Sequence, residues 1–225
     1  FALLSSGPAH AQEGQLPRLR VLTYNIHHGQ GRDGKFDLER LAKIISDLNP
    51  DVVALQEVDS KTSRAFGIDQ ATRLGELTQM HSVFGNAMHY SGGGYGEAIL
   101  SRFPMEEVKD YRLPFRYGQE SRIVIAAKIK PDKGLPELIF AGTHLCHQSD
   151  ETRSEQAQQI NRLFSPQKGV PVILAGDLNA RPGSGPMDIL LRERWVDAIA
   201  PHSRIDYVIY RKNDPWRVVD VQIVD

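Results

Sequence analysis

The segment V-P-V-I-L-A-G-D-L-N-A-R-P, residues 170–182, constrains this chain more than any other. Its first half is a short, almost wholly apolar run. Such a run reads as a strand buried on both faces and is too short for an independent helix. It ends in a polar pair. Side chains alternate along an extended chain, so Asp177 and Asn179 are expected to project to one side where the strand leaves the core. Ala180, Arg181, Pro182 and Gly183 then form a turn. A carboxylate beside a carboxamide suits the holding of a water against a phosphoryl group, whose oxygens need donors. An Asx-turn closing a strand would use the same two residue types.

The same grammar recurs along the chain. Leu19 to His27 alternates, with Val21, Thr23, Asn25 and His27 facing one way, and predicts a strand ending at Asn25 before the Gly-rich turn 28–34. Asp37 is placed to cap a helix through Leu38, Leu41, Ile45 and Leu48, stopped by Asn49-Pro50. The run D-V-V-A-L-Q-E-V then predicts a second buried strand, with Glu57 at its C-terminal end on the face of Val53 and Leu55. A second helix is marked by Ala71, Leu74 and Leu77. Residues 81–130 read as an antiparallel section, with S-G-G-G-Y-G-E a hairpin or loop that lacks the Lys-Ser/Thr of a P-loop. The run L-I-F-A-G-T-H-L delivers His144 at a third strand end, and Ser149 or Asp150 caps the next helix. Gly185-Pro186 opens a last helix, and R-I-D-Y-V-I-Y is a strand with Asp206 near its start.

At 225 residues without internal repeats or an evident linker, the sequence predicts one domain over 17–225. With 27 basic against 28 acidic residues there is no overall field to concentrate polyanions, which disfavours tight duplex binding. The single cysteine, Cys146, excludes an internal disulfide and a cysteine-rich zinc site, and reads as a small buried hydrophobe. Residues 1–16 read as a signal-peptide remnant or disordered arm, with Ala9-His10-Ala11 as an A-x-A cleavage pattern. That favours a secreted or periplasmic location over a cytoplasmic one. No run approaches the ~18 apolar residues of a membrane span.

Asn25, Glu57, His144 and the Asp177/Asn179 pair all fall at strand ends, and Asp206 at the start of a strand expected to run antiparallel to its neighbours, so that all six meet at one rim. Glu57 and the amide oxygen of Asn25 are hard donors suited to Mg²⁺, with Mn²⁺ as a substitute. Asp177 is placed to orient or deprotonate water, Asn179 to donate to a phosphate oxygen, and His144 to donate to the phosphoryl group or leaving oxygen. His27, His28, His81, His89, His147 and His202 are assigned no role. His144 and His147 share an H-x-x-H spacing, but the Glu of an H-E-x-x-H zinc helix is absent and the run is strand-like.

In this order, Y-N-I, L-Q-E-V, T-H-L, G-D-L-N-A and R-I-D-Y resemble the endonuclease/exonuclease/phosphatase superfamily of metal-dependent phosphoesterases, from DNase I-like nucleases to sphingomyelinases and inositol polyphosphate phosphatases. The resemblance implies a four-layer α/β/β/α sandwich of two mixed, mostly antiparallel sheets packed face to face with helices outside. It implies a Mg²⁺-dependent hydrolase of phosphate esters acting on a phospholipid head group, a sugar phosphate or nucleic acid. By it, Asn25 and Glu57 are metal-site residues, His144, Asp177 and Asn179 handle phosphate and water, and Asp206 supports a final catalytic histidine. The family closes with a Ser-Asp-His segment on one more strand, and the chain ends at Asp225 before such a segment. Glu97 stands where relatives often carry Asn. The competing expectation is a noncatalytic module that binds phosphate or a partner.

Overall fold

The computed structural model describes residues 1–6, 16–132, 134–165, 169–192, 194–200 and 204–224. Its strands are β1 (Ala2–Ser6), β2 (Arg18–Asn25), β3 (Val52–Ser60), β4 (His81–Tyr90), β5 (Gly93–Ser101), β6 (Met105–Arg112), β7 (Ile123–Ile129), β8 (Leu138–His144), β9 (Val172–Asp177), β10 (Trp195–Asp197), β11 (Asp206–Arg211) and β12 (Trp216–Val221). The helices are α1 (Leu38–Leu48), α2 (Gln70–Thr78), α3 (Asp150–Leu163) and α4 (Gly185–Leu191). Two six-stranded sheets result, in the orders β12-β1-β2-β3-β5-β4 and β10-β11-β9-β8-β7-β6. Each holds one parallel pair, β2 with β3 and β8 with β9, among antiparallel neighbours.

Alternation along the strands sorts the apolar side chains into three layers of packing. Val21, Val52, Ala54, Ile99, Ile123, Ile125, Phe140 and Ile173 fill the space between the sheets. Leu22, Val53, Leu55 and Leu100 face the other way, under Leu41 and Ile45 of α1 and Leu74 of α2. Leu174, Tyr207 and Ile209 do the same on the second sheet, under Ala157 and Ile160 of α3 and Leu190 of α4. Helix, sheet, sheet and helix therefore stack as the sequence resemblance implied.

Helix ends follow from local chemistry. Asp37 accepts from the Arg40 N–H at the start of α1, and Asn49 ends it in the left-handed region, where Asn is tolerated. Ser149 rather than Asp150 caps α3 through the Thr152 N–H.

One expectation is corrected. Residues 2–6, which the disordered-arm expectation covered, form a strand paired with β2 on one side and β12 on the other. Ala2 and Leu4 are fully buried between the sheets, and a short apolar leader-like run has the same composition as a buried strand. The Ala9-His10-Ala11 pattern lies outside the described residues, as does His202. The glycine-rich run 91–97 is the hairpin of the two expected alternatives: Gly93 to Glu97 belong to β5, which pairs with β4 across a tight turn at Ser91-Gly92. Gly96 suits that pairing, since a Cβ there would stand 2.0 Å from the Gly85 carbonyl oxygen.

Candidate functional site

The C-terminal ends of the two parallel pairs meet where the sheets face each other. On the second sheet, parallel register sets His144 of β8 directly beside Asp177 of β9, and both side chains are nearly buried. The His144 Nε2 lies 3.7 Å from Asp177 Oδ2. Asn179 does not continue the strand. It adopts a left-handed conformation with φ of 47°, and its backbone N–H donates to Asp177 Oδ1 at 2.8 Å. The expected Asx-turn and the expected shared volume are thus one feature: the turn brings the Asn179 carboxamide to 2.9 Å from His144 Nε2, where it also donates to the Leu145 carbonyl at 3.0 Å.

On the first sheet, Asn25 at the end of β2 lies beside Gln56, not Glu57, in the register of β3. Simple alternation would send Glu57 toward the helices with Val53 and Leu55, as the sequence reading had it. Instead β3 continues to Ser60, and a bulge between Leu55 and Val58 puts Glu57 in the left-handed region with φ of 58°. A bulge re-aims the side chain it carries. The result is that Asn25 Nδ2 donates to Glu57 Oε1 at 2.8 Å and stands 3.5 Å from Asp177 Oδ2. Asn25 therefore ties the two sheets' carboxylates together, with its Oδ1 accepting from the His27 N–H at 3.0 Å.

Glu57, His144, Asp177 and Asn179 line one cavity of about 350 Å³. Tyr90, Tyr95, Arg64 and Glu120 complete its outer wall. Arg64 is fixed by a two-point pair with buried Asp59, at 2.6 and 2.9 Å, and stacks 4.3 Å over the Tyr90 ring. Asp206 enters differently. It lies beside Asp177 in the antiparallel register of β11 and β9, but lines a separate cavity of about 390 Å³ shared with Tyr24, Asn25 and Arg204. Five of the six expected residues thus form one connected set, and Asp206 backs it from the far side.

Electrostatics divide the acids. Burial raises the Asp177 carboxyl above its ordinary range, as does Glu57; the Asn179 N–H, the Asn25 amide and the Arg122 guanidinium pull it back. Asp206 is pushed up to about 6, first by burial and then by Asp177. The carboxylates of Glu57 and Asp177 converge on the Asn25 NH₂, and their oxygens are hard donors of the kind Mg²⁺ prefers.

Arg122, in the loop before β7, went unnoticed in the sequence. It is 1% exposed, pairs with Glu120 at 2.7 Å, and its Nη1 lies 3.2 Å from His144 Nδ1. A guanidinium only donates, so Nδ1 accepts from Arg122, while Nε2 faces the Asn179 Nδ2 at the cavity. Burial, then the Arg122 charge, hold the His144 pKa well below its ordinary value, so the ring is neutral. The available signal was an arginine opening the apolar run I-V-I-A-A-K-I, a costly place for a charge. Behind Arg122, Glu97 is fully buried and neither carboxylate oxygen has a partner among the described residues. Burial lifts its pKa to about 8, against some relief from Arg122.

Comparison with known proteins agrees with this geometry. Residues 22–224 match the model of the Endonuclease/Exonuclease/phosphatase family. An inositol phosphosphingolipids phospholipase C of Schizosaccharomyces pombe is 28% identical over 210 residues, covering 80% of this chain and 46% of that protein. The chain thus spans about half the length of that curated relative. An endonuclease/exonuclease/phosphatase structure from Beutenbergia cavernae superposes with a TM-score of 0.70 at 26% identity, covering 86% of this chain and 64% of the other. A mannosyl-6-phosphatase of Bacteroides thetaiotaomicron gives a TM-score of 0.68 at 20% identity over 87% of this chain and 86% of its own, a likeness of fold alone. With nearly the whole described chain inside the family match, and two facing sheets that converge on one acidic and imidazole-lined mouth, the chain belongs to the endonuclease/exonuclease/phosphatase family.

Proposed function

We propose that this protein is a Mg²⁺-dependent hydrolase of small phosphate esters, with Mn²⁺ able to substitute. The observation that carries the reading is the linked set Glu57–Asn25–Asp177–Asn179–His144, built from both sheets around one cavity mouth. Glu57, with the Asn25 amide turned to present its oxygen, would hold the ion, which would supply charge neutralisation for the phosphoryl oxygens. The chain's own groups do the rest. Asp177, buried and with a raised pKa, accepts the proton of an attacking water. The His144 ring, held by Arg122, and the Asn179 amide, set by the Asx-turn 2.9 Å from His144 Nε2, face the phosphoryl oxygens. Asp206 supports the carboxylate set from behind.

A cavity of about 350 Å³ suits a head group or sugar phosphate. The phospholipase C relative acts on a lipid phosphodiester by its name, which supports an ester of that size. The test is hydrolysis of a panel: a phosphosphingolipid in mixed micelles, a hexose 6-phosphate, and duplex DNA, each with Mg²⁺ and with EDTA. Metal-dependent release from the lipid or the sugar phosphate, at least tenfold faster than from DNA, is expected. Preference for DNA would overturn the substrate class, and silence on all three would favour a noncatalytic binding module.

A further inference from the structure

The turn after β2 holds two histidines that the proposed hydrolysis does not use. His27 and His28 form a single 3-10 turn with Gly29, and both histidines lie in the left-handed region, with φ of 45° and 46°. Two adjacent left-handed residues other than glycine are costly and persist only where the surroundings impose them. Here they are imposed. Fully buried Gln70 donates to the His28 carbonyl at 2.7 Å and accepts from the Asp59 N–H at 2.8 Å, which clamps the turn onto β3. At Gly29 a Cβ would meet Phe36 and Gln70 at 2.8 and 2.9 Å, so the segment is packed in place.

The strain aims side chains. Ligand atoms of His27, His28 and Glu57 all lie within 4.8 Å of one another. Glu57 reaches the cluster only through its own left-handed bulge. Each ring is also held through one nitrogen by Gln30. His27 Nδ1 lies 3.2 Å from the Gln30 carbonyl, and His28 Nε2 lies 3.3 Å from Gln30 Oε1. Gln30 itself is oriented by donating through Nε2 to the Gly34 carbonyl at 2.9 Å, which leaves its Oε1 as the acceptor facing His28. The two rings therefore carry protons on the nitrogens facing Gln30. Nε2 of His27 and Nδ1 of His28 keep free lone pairs. Donation of one ring N–H to a carbonyl, with the other nitrogen free, is how metal-bound imidazoles are held.

We propose that His27, His28 and Glu57 form a divalent-cation site selective for a borderline ion, Zn²⁺ or Co²⁺, separate from the oxygen set that suits Mg²⁺ and sharing Glu57 with it. Two imidazoles and one carboxylate favour such an ion over Mg²⁺, which prefers oxygen donors. Three protein ligands leave a fourth position open toward the cavity, which all three residues line.

The experiment is metal binding by the full-length protein, not turnover: calorimetric titration with Zn²⁺ and the visible absorption of bound Co²⁺, each with excess Mg²⁺ present. Wild type is expected to bind Zn²⁺ despite the Mg²⁺ and to show the Co²⁺ band. His27→Asn/His28→Asn, chosen because Asn tolerates the left-handed backbone, is expected to weaken Zn²⁺ at least 100-fold and remove the band. Gln30→Leu leaves every ligand in place and is expected to weaken Zn²⁺ about 10- to 100-fold; it decides the matter if the double variant does not fold. Equal Zn²⁺ affinity in wild type and Gln30→Leu or the double variant would overturn the proposal, as would displacement of Zn²⁺ by equimolar Mg²⁺. A wild type that binds Zn²⁺ but never Mg²⁺ would count against the hydrolase reading and leave this site standing.

Discussion

The two sheets present their site residues from equivalent places by different means. Each carries one parallel pair, and the ends of β2 and β3 face the ends of β8 and β9. In the second sheet the register partners themselves, His144 and Asp177, are the site. In the first, the register partner of Asn25 is Gln56, which is fully buried and bonds inward to Thr23 Oγ1 and the Ala54 carbonyl. The acid that reaches the mouth is its neighbour Glu57, displaced by the bulge. One half of the site is thus set by strand alternation and the other by local strain. Strain costs about 1–3 kcal/mol for each such residue, so the surrounding sheet has to over-determine it.

If the bulge exists to deliver Glu57, then Glu57→Gln, which keeps shape and removes charge, should lower the metal-dependent rate roughly 10³-fold. Initial rates at saturating Mg²⁺ check this, and a rate within tenfold of wild type would leave the bulge without its purpose. The next effect is on stability. The buried Glu97 has a folded pKa of about 8, above its ordinary value, so its stabilising contribution is whole below pH 4.5 and fades as pH rises toward 8. Glu97→Gln should therefore melt higher than wild type above pH 5, by on the order of 3 kcal/mol at pH 7, with the gap closing at pH 4. Thermal melts from pH 4 to pH 8 would show it, and a gap independent of pH would refute it.

The alternation-set half has its own weak point. Arg122→Gln keeps one donor but removes the charge beside His144, and kcat should fall about 10²-fold. Because the guanidinium holds the His144 pKa down, its loss should also move the acid limb of the pH–rate profile upward. A lower kcat with an unmoved profile would mean that Arg122 only packs. Asp37→Ala, outside the linked set, should cost about 1 kcal/mol through the lost cap of α1 and leave kcat unchanged.

The same comparison explains what could be read from the chain. The layers, the caps at Asp37 and Ser149, and the position of His144 beside Asp177 follow from periodicity and from side-chain chemistry within a few residues. Asp206 was correctly placed next to Asp177 by its antiparallel strand, yet it opens to another cavity, which it shares with Asn25. Glu57 was found by its residue type, but its face was misread, since a bulge depends on the partner strand β5 rather than on β3 alone. Arg122, and the burial of Glu97, escaped for a related reason. Their burial is created by two sheets meeting, and no local pattern records it.

The central claim is that residues from both sheets close around one metal-assisted phosphoester site. Its most direct test is the hydrolysis of bis-p-nitrophenyl phosphate by the full-length protein, with Mg²⁺ against EDTA, for wild type, Glu57→Gln and Asp177→Asn. The account predicts Mg²⁺-dependent turnover by wild type that EDTA abolishes and that either substitution, one from each sheet, lowers by roughly 10³-fold. Turnover that survives EDTA, or that only one of the two substitutions removes, would contradict it.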